Sequence, residues 1–412
     1  TAVFPLYFEA VIGNSPTEGA PKQVDFLGMT FINTELLAYT ISFSFLLVTL
    51  ITPVLSGIAD VAGKKKTFMQ IFSTMGALAS AFMFFFNGED TLVLGVGLSV
   101  LASIGFASSL VFYNAFLPEI AHEKDLDRIS AQGFTMGYIG SSLLQILCLG
   151  LIMGHEAIGI EEGLATRISF LLAGLWWFGF AFMTWRYLPG NIYNRKPDRN
   201  ALLTQGWKEL GLVFRQLRSP AESRLRWFLV AFFFYSMGYM TVIFLATPFG
   251  QKEVGLATTD LITCVMLIQF VAIGGSYFFA WLAGKIGNIS SLMVAVALWA
   301  LICAGCYFIT TALQFYALAF AVGTVMGGIQ ALSRSTYAKL LPGTKDHASY
   351  YSFYDITEKL AITIGSYGFG LVESVTGSMR NSAMFLSIFF ALGLLVLFLV
   401  NRQKAPVRTA EA

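Results

Sequence analysis

The sequence predicts an all-α membrane protein that crosses the bilayer many times, and three observations carry that prediction. Hydrophobic residues make up 56% of the 412 residues and charged residues only 12%, against about 25% in soluble proteins, and the mean hydropathy is +0.69. Apolar runs of the roughly 20 residues that a helix needs to cross ~30 Å of hydrocarbon recur along the whole chain. The alternating segments of about ten residues that build an outer-membrane barrel are absent, and in lipid only helices otherwise satisfy the backbone. An ordinary soluble enzyme is excluded, and the net charge of +2 implies no nucleic-acid partner.

The first element in chain order is "TAVFPLYFEAVIG", residues 1–13. It is apolar but about half the length of a span, and it lacks the charged start and small-residue cleavage site of a signal peptide. It is expected to be the outer half of a first helix whose beginning is missing here. Eleven full spans follow, near 35–59, 67–87, 92–118, 131–153, 167–187, 227–249, 259–284, 289–311, 313–336, 350–374 and 380–401, giving twelve helices. With the joint at 56–66 in the cytoplasm, only Lys22, Arg167, Lys252 and Arg380 of the 26 basic residues fall outside. That positive-inside bias places both termini in the cytoplasm.

The longest charged joint, "RKPDRNALLTQGWKELGLVFRQLRSPAESRLR" at 195–226, divides the chain. The expected organisation is an N-terminal six-helix bundle at 1–187, a cytoplasmic linker at 188–226, a C-terminal six-helix bundle at 227–402 and a cytoplasmic tail at 403–412. Within the linker, Leu202, Leu203, Trp207, Leu210, Val213, Phe214 and Leu217 recur at helical spacing against Lys208, Glu209, Arg215 and Arg218. This is the pattern of an amphipathic helix anchored at the membrane surface.

The halves echo one another. "SGIADVAGK" at 56–64 aligns with "AWLAGKIGN" at 280–288, matching Ala59 to Ala283 and Gly63 to Gly287, an offset of 224; Leu117 and Pro118 match Leu341 and Pro342 at the same offset. Two matches at one offset argue for parallel repeats of six helices, the architecture of major facilitator transporters.

The joint "SGIADVAGKKKTFMQ" at 56–70 carries an aspartate and three lysines between two apolar runs. Gly57, Ala59 and Gly63 allow close approach of helices, Asp60 can meet a cation or a helix N-terminus, and Lys64, Lys65 and Lys66 face headgroups or acidic groups. The expected role is a conformational latch, the alternative for the lysines being topology alone. The stretch resembles the signature loop between the second and third helices of the major facilitator superfamily, with Ser56, Ile58 and Val61 as departures.

A narrower resemblance, to the vacuole-effluxer-like family, runs through "TAVFPLYF", "FYNAFLPEIA", "ISAQGFTMGYIGSSLL", "TVIFLATPFG", "GGIQALSRSTYAKLLP" and "YYSFYDITEKLAITIGSYGFGLVESVTGSMRNS". The family includes a fungal vacuolar amino-acid exporter and bacterial relatives of unsettled substrate, so the resemblance implies amino-acid efflux. The cluster of aspartate, tryptophan and asparagine usual in the family's first helix would precede this sequence.

Alternating access needs polar groups near the midplane. Gln145, Tyr235 and Gln269 lie near the centres of their spans and Tyr138 and Gln330 nearer the inner half, describing a mostly neutral cavity or, alternatively, hydrogen bonds between helices. "YDITEKL" adds Asp355, Glu358 and Lys359. Asp355 and Lys359 are spaced to pair, leaving Glu358 without an obvious local partner and the leading candidate for proton coupling or for a substrate ammonium. The alternative is a cytoplasmic gate in which Asp355, Glu358, Lys359 and Arg334 pair against the loop at 60–66. Glycines at 133, 137, 140, 365, 368 and 370 leave small helix surfaces.

Cys148, Cys264, Cys303 and Cys306 lie in apolar runs and His122, His155 and His347 in expected loops, so no metal site or cofactor is expected. No Walker loop and no catalytic nucleophile occur. The expected protein is a monomeric secondary or facilitative transporter in a bacterial inner membrane. It would move a small polar or zwitterionic solute, with protons and membrane lipids as further partners. Export of an amphipathic compound or lipid, suggested by 39 phenylalanines, and a non-transporting receptor or assembly subunit are the competing readings.

Overall fold

The computed structural model describes residues 3–13, 22–190 and 202–403. The start of the linker at 191–201 and the tail beyond 403 lie outside them. The short first segment is helix α1 (Val3–Val11), whose terminal carbonyls accept from Lys22 Nζ, Glu9 O at 2.9 Å and Ala10 O at 3.0 Å. Two strands follow, β1 (Gln23–Phe26) and β2 (Met29–Ile32), antiparallel with Phe26 opposite Met29.

This hairpin departs from a wholly helical reading. Leu27 (φ 52°) and Gly28 (φ 82°) form its turn, both in the left-handed region that a type I′ turn requires. Leucine has no local hydrogen bond to offset that conformation, so no Asn-Gly type signal announces the turn.

The rest is helical: α2 (Asn33–Ala62), α3 (Lys65–Phe82), α4 (Leu92–Asn114), α5 (Leu117–Ile120), α6 (Leu126–Met153), α7 (His155–Ile158), α8 (Glu162–Tyr187), α9 (Leu202–Arg218), α10 (Ser223–Phe249), α11 (Thr258–Ile286), α12 (Asn288–Cys306), α13 (Ala312–Leu340), α14 (His347–Thr376) and α15 (Met379–Arg402). Every expected span is one of these helices. Ten of the described helices are long and apolar enough to cross a membrane. The remaining expected span, α14, has 30 residues, and Asp355, Glu358 and Lys359 lower its hydropathy. His347 and His155 open α14 and α7, a correction to their placement in loops.

The internal repeat has a backbone counterpart. Gly63 ends α2 at φ 65° and Gly287 ends α11 at φ 84°. Gly63 N–H donates to Asp60 O at 3.0 Å and Gly287 N–H to Ala283 O at 2.9 Å, so both matched glycines stop a helix with a conformation that disfavours any Cβ.

Two compact units divide the chain, Thr1–Asn114 with Leu143–Leu210, and Ala115–Ser142 with Gly211–Ala412. In the first, α3 packs on α4 and α8 and α2 on α4. Thr52 and Ser108 share a 3.0 Å hydrogen bond, and a Cβ on Gly105 would come within 2.5 Å of the Gly76 Cα. An aromatic cluster of Phe4, Tyr7, Phe8, Phe86 and Phe170 fixes α1. In the second unit α11 packs on α13 through Gly275, Gly323 and Gly327, each facing the other helix's backbone, and α10 packs on α14 and α15.

Candidate functional site

The charged centre is built on α14 in the second unit. Helical spacing puts Asp355 and Lys359 on one face, and Lys359 Nζ lies 3.2 Å from Asp355 Oδ1 and 3.7 Å from Glu358 Oε2. Glu358 therefore has a local partner, which corrects the expectation that Lys359 serves Asp355 alone. Tyr239 on α10 donates its hydroxyl to Glu358 Oε1 at 3.2 Å. The three charged side chains are 9% to 14% exposed. Because α14 begins at His347, Glu358 sits about 16 Å along it at 1.5 Å per residue, close to its midpoint.

Two carboxylates share one ammonium here, so the fully ionised cluster carries one net negative charge in a largely buried setting. Such a charge costs several kcal/mol unless a cation meets it. The arrangement can hold one more positive charge, a proton or an ammonium group. Gly365 makes the close α10–α14 contact possible, since a Cβ there would meet Met237 O and Thr241 Oγ1 at 2.5 Å.

A buried tyrosine set surrounds the centre. Tyr235 shares a 2.7 Å hydrogen bond with Ser333 on α13, its ring is 6.3 Å from that of Tyr239, and Phe232 stacks on Tyr354 at 4.1 Å. One turn before Ser333, Gln330 Oε1 accepts from Tyr138 at 2.5 Å. Gln269 Oε1 accepts from Ser141 at 2.5 Å and Ser142 at 3.4 Å. Tyr138, Gln269 and Gln330 thus meet along α6, while Tyr235 joins the α14 centre through Tyr239. Gln145 lies beyond residue 142, in the first unit, and is half-buried.

In the first unit Asp60 is buried at the end of α2, and Gly57 faces the Gly206 backbone of α9. Lys64 is exposed and Lys65 is buried, so of the two contacts expected for these lysines, headgroups or acidic groups, Lys65 is not placed for the first. Lys66 Nζ donates to Leu188 O at 2.7 Å, where a cation complements the C-terminus of α8. In the second unit Arg334 donates to Ser130 Oγ at 3.0 Å and Ser130 O at 2.8 Å, and its guanidinium lies 4.5 Å from the centre of the Phe134 ring.

Several polar residues escaped sequence reasoning. Lys339 Nζ meets Asp127 Oδ2 at 2.5 Å and Asn288 Oδ1 at 2.9 Å, Asn288 Nδ2 donates to Asp127 Oδ1 at 2.6 Å, and His347 Nδ1 lies 3.0 Å from Glu119 Oε1. Their positions at helix ends read in sequence as topology signals. The signal that could have found them is the acidic residue of "FLPEIA", which lies beside the repeat proline. Among the described residues no group of three metal-ligating side chains gathers, and all four cysteines are buried thiols.

Residues 13–410 match the family described as vacuole effluxer Atg22 like. The chain belongs to that family. It is 32% identical over 406 residues to an uncharacterized MFS-type transporter, YxiO of Bacillus subtilis strain 168, covering 98% of this chain and 90% of that protein. It is 24% identical to autophagy-related protein 22 of Yarrowia lipolytica, covering 94% of this chain and 79% of that protein. Among solved structures it resembles the E. coli fucose:proton symporter FucP, with TM-score 0.68, 13% identity and coverage of 89% of this chain and 91% of that one. The human organic anion transporter MFSD10 is similar at TM-score 0.68 and 13% identity, over 89% of this chain and 84% of that one. The fold is that of the major facilitator superfamily. This member of the Atg22-like family is a multi-pass membrane transporter of a small-molecule substrate, and no enzymatic role accompanies that family.

Proposed function

We propose that this family member exports a small polar or zwitterionic solute, with amino acids the leading class, by alternating access of two six-helix bundles at 1–187 and 227–402 in a bacterial inner membrane, both termini cytoplasmic. The observation that carries this reading is the α14 centre, in which Asp355, Glu358 and Lys359 form a buried cluster one positive charge short of neutral. Glu358 takes a proton or the substrate's ammonium group, Tyr239 orients it, and Lys359 holds the remaining negative charge. Tyr138, Tyr235, Gln145, Gln269 and Gln330 supply neutral hydrogen-bonding capacity. Gly57, Asp60, Gly63, Lys64, Lys65, Arg334 and Asp355 are the proposed latch.

One observation favours a second reading. Phe249, Phe315 and Phe369, with Leu245, Leu261 and Val322, line a small pocket of wholly apolar surface in the second unit, the kind of lining that the hydrocarbon part of an amphipathic solute would meet. Counterflow of labelled amino acids into proteoliposomes at two pH values separates the two. Saturable, competed amino-acid uptake whose pH response disappears in Glu358→Gln supports the first. Uptake of amphipathic probes alone, blocked by Phe315→Ala, replaces it with the second.

A further inference from the structure

The linker helix α9 carries two faces, one buried against protein and one exposed. Gly206, Leu210, Val213 and Leu217 form a buried stripe, so three of the apolar residues expected at the membrane surface are instead covered by protein, while Trp207 and Phe214 are exposed. Gly206 meets Gly57 and Ile58 of α2 in the first unit. In the second, Phe214 stacks on Phe353 at 6.3 Å, and Gln216 Oε1 accepts from Tyr350 at 2.6 Å.

The opposite face is exposed and has a different chemistry. Lys208, Arg215 and Arg218 are exposed there, flanked by Trp207 at 61%, Leu212 at 49% and Phe214 at 46% exposure. The Arg218 guanidinium lies 4.4 Å from the centre of the Phe214 ring, cation and aromatic together at the helix C-terminus. Glu209 is the one acid in α9, so the helix carries three positive charges and one negative, a net charge of +2. After Arg218 the chain runs through Ser219–Glu222 directly into α10, where Trp227 is exposed in the second turn, as aromatics are at headgroup level. The C-terminal end of α9 is therefore tethered within a few residues of the start of a candidate membrane span.

We propose that the exposed face of α9 binds the anionic phospholipid headgroups of the cytoplasmic leaflet, with Trp207 seated among them and Lys208, Arg215 and Arg218 facing the phosphates. Charge complementarity and the tether select this partner, and the claim does not depend on which solute is carried. Each cation near an anionic leaflet strengthens association about fivefold, so removing three weakens it on the order of a hundredfold.

The test places full-length protein in nanodiscs of phosphatidylcholine with or without phosphatidylglycerol and isolates Trp207 fluorescence as the difference between wild type and Trp207→Phe. With phosphatidylglycerol present, a headgroup-labelled lipid quencher should reach Trp207 and aqueous iodide should not. Lys208→Gln, Arg215→Gln and Arg218→Gln together should reverse this, while Lys208→Arg, Arg215→Lys and Arg218→Lys together should preserve it and show that the helix still folds. Iodide access to Trp207 in both lipid compositions would overturn the proposal and leave the surface to a soluble acidic partner. Unchanged lipid quenching in the neutralised variant would overturn it by showing that charge plays no part.

Discussion

Tyr239 on α10 donates its hydroxyl to Glu358 on α14 across 3.2 Å, which links two helices through one of the two carboxylates that share Lys359. A hydrogen bond to a charged group is worth about 1.5–3 kcal/mol. Tyr239→Phe should therefore weaken the proton or substrate dependence of transport about 10- to 100-fold while leaving the protein folded. Glu358→Gln should abolish the pH response. Counterflow measured across a pH series checks both, and a Tyr239→Phe profile identical to wild type would remove Tyr239 from the proposed site.

Lys359 answers two acids, so its loss should be felt as stability before it is felt as transport. Lys359→Ala leaves Asp355 and Glu358 one helical turn apart with no cation between them, and breaking a buried pair in this way costs about 3–5 kcal/mol. The sign with pH follows directly. Both acids are neutral at low pH and repel when ionised, so the variant should lose thermal stability as pH rises. Asp355→Asn added to Lys359→Ala should recover part of the loss, and thermal unfolding in detergent between acidic and alkaline buffer measures it.

The eleven spans, the linker helix and the repeat were legible because lipid forces a simple code, in which long apolar runs must be helices. Residue roles were less legible, for a physical reason visible at Lys359, Lys65 and His347. Helical spacing shows that Lys359 can reach Asp355, but only the packing of α10 on α14 brings Tyr239 to Glu358. A basic side chain at a helix end looks the same in sequence whether it reaches solvent, as Lys64 does, or is buried, as Lys65 is. His347 reads as a loop residue in sequence because the polar stretch before it hides the start of α14.

Asp127 and Lys339 should couple strongly. Their carboxylate and ammonium lie 2.5 Å apart at 12% and 22% side-chain exposure, and Asn288 contacts both. A double-mutant cycle on Asp127→Asn and Lys339→Gln should give a coupling energy of about 0.5–3 kcal/mol in thermal unfolding. If the pair also holds one transport state, either single variant should change the rate of counterflow while the charge exchange Asp127→Lys with Lys339→Asp restores it. Additive single effects would show two independent surface charges instead.

Glycines that look alike in sequence should respond differently to one methyl group. A Cβ at Gly365 would lie 2.5 Å from both Met237 O and Thr241 Oγ1, whereas nothing stands within 4 Å of one at Gly137 or Gly370. Gly365→Ala must push α14 away from α10, and overpacking of this kind costs about 1–3 kcal/mol. It should also lengthen the Tyr239 to Glu358 hydrogen bond, lowering transport along with stability. Gly137→Ala and Gly370→Ala should stay within about 0.5 kcal/mol of wild type, as substitutions without new contacts do. Thermal unfolding and counterflow on the three variants decide it: equal losses would mean that the small surfaces of α6 and α14 are all packed in some state of the transport cycle, and loss at Gly365 alone would confine the close contact to α10 and α14.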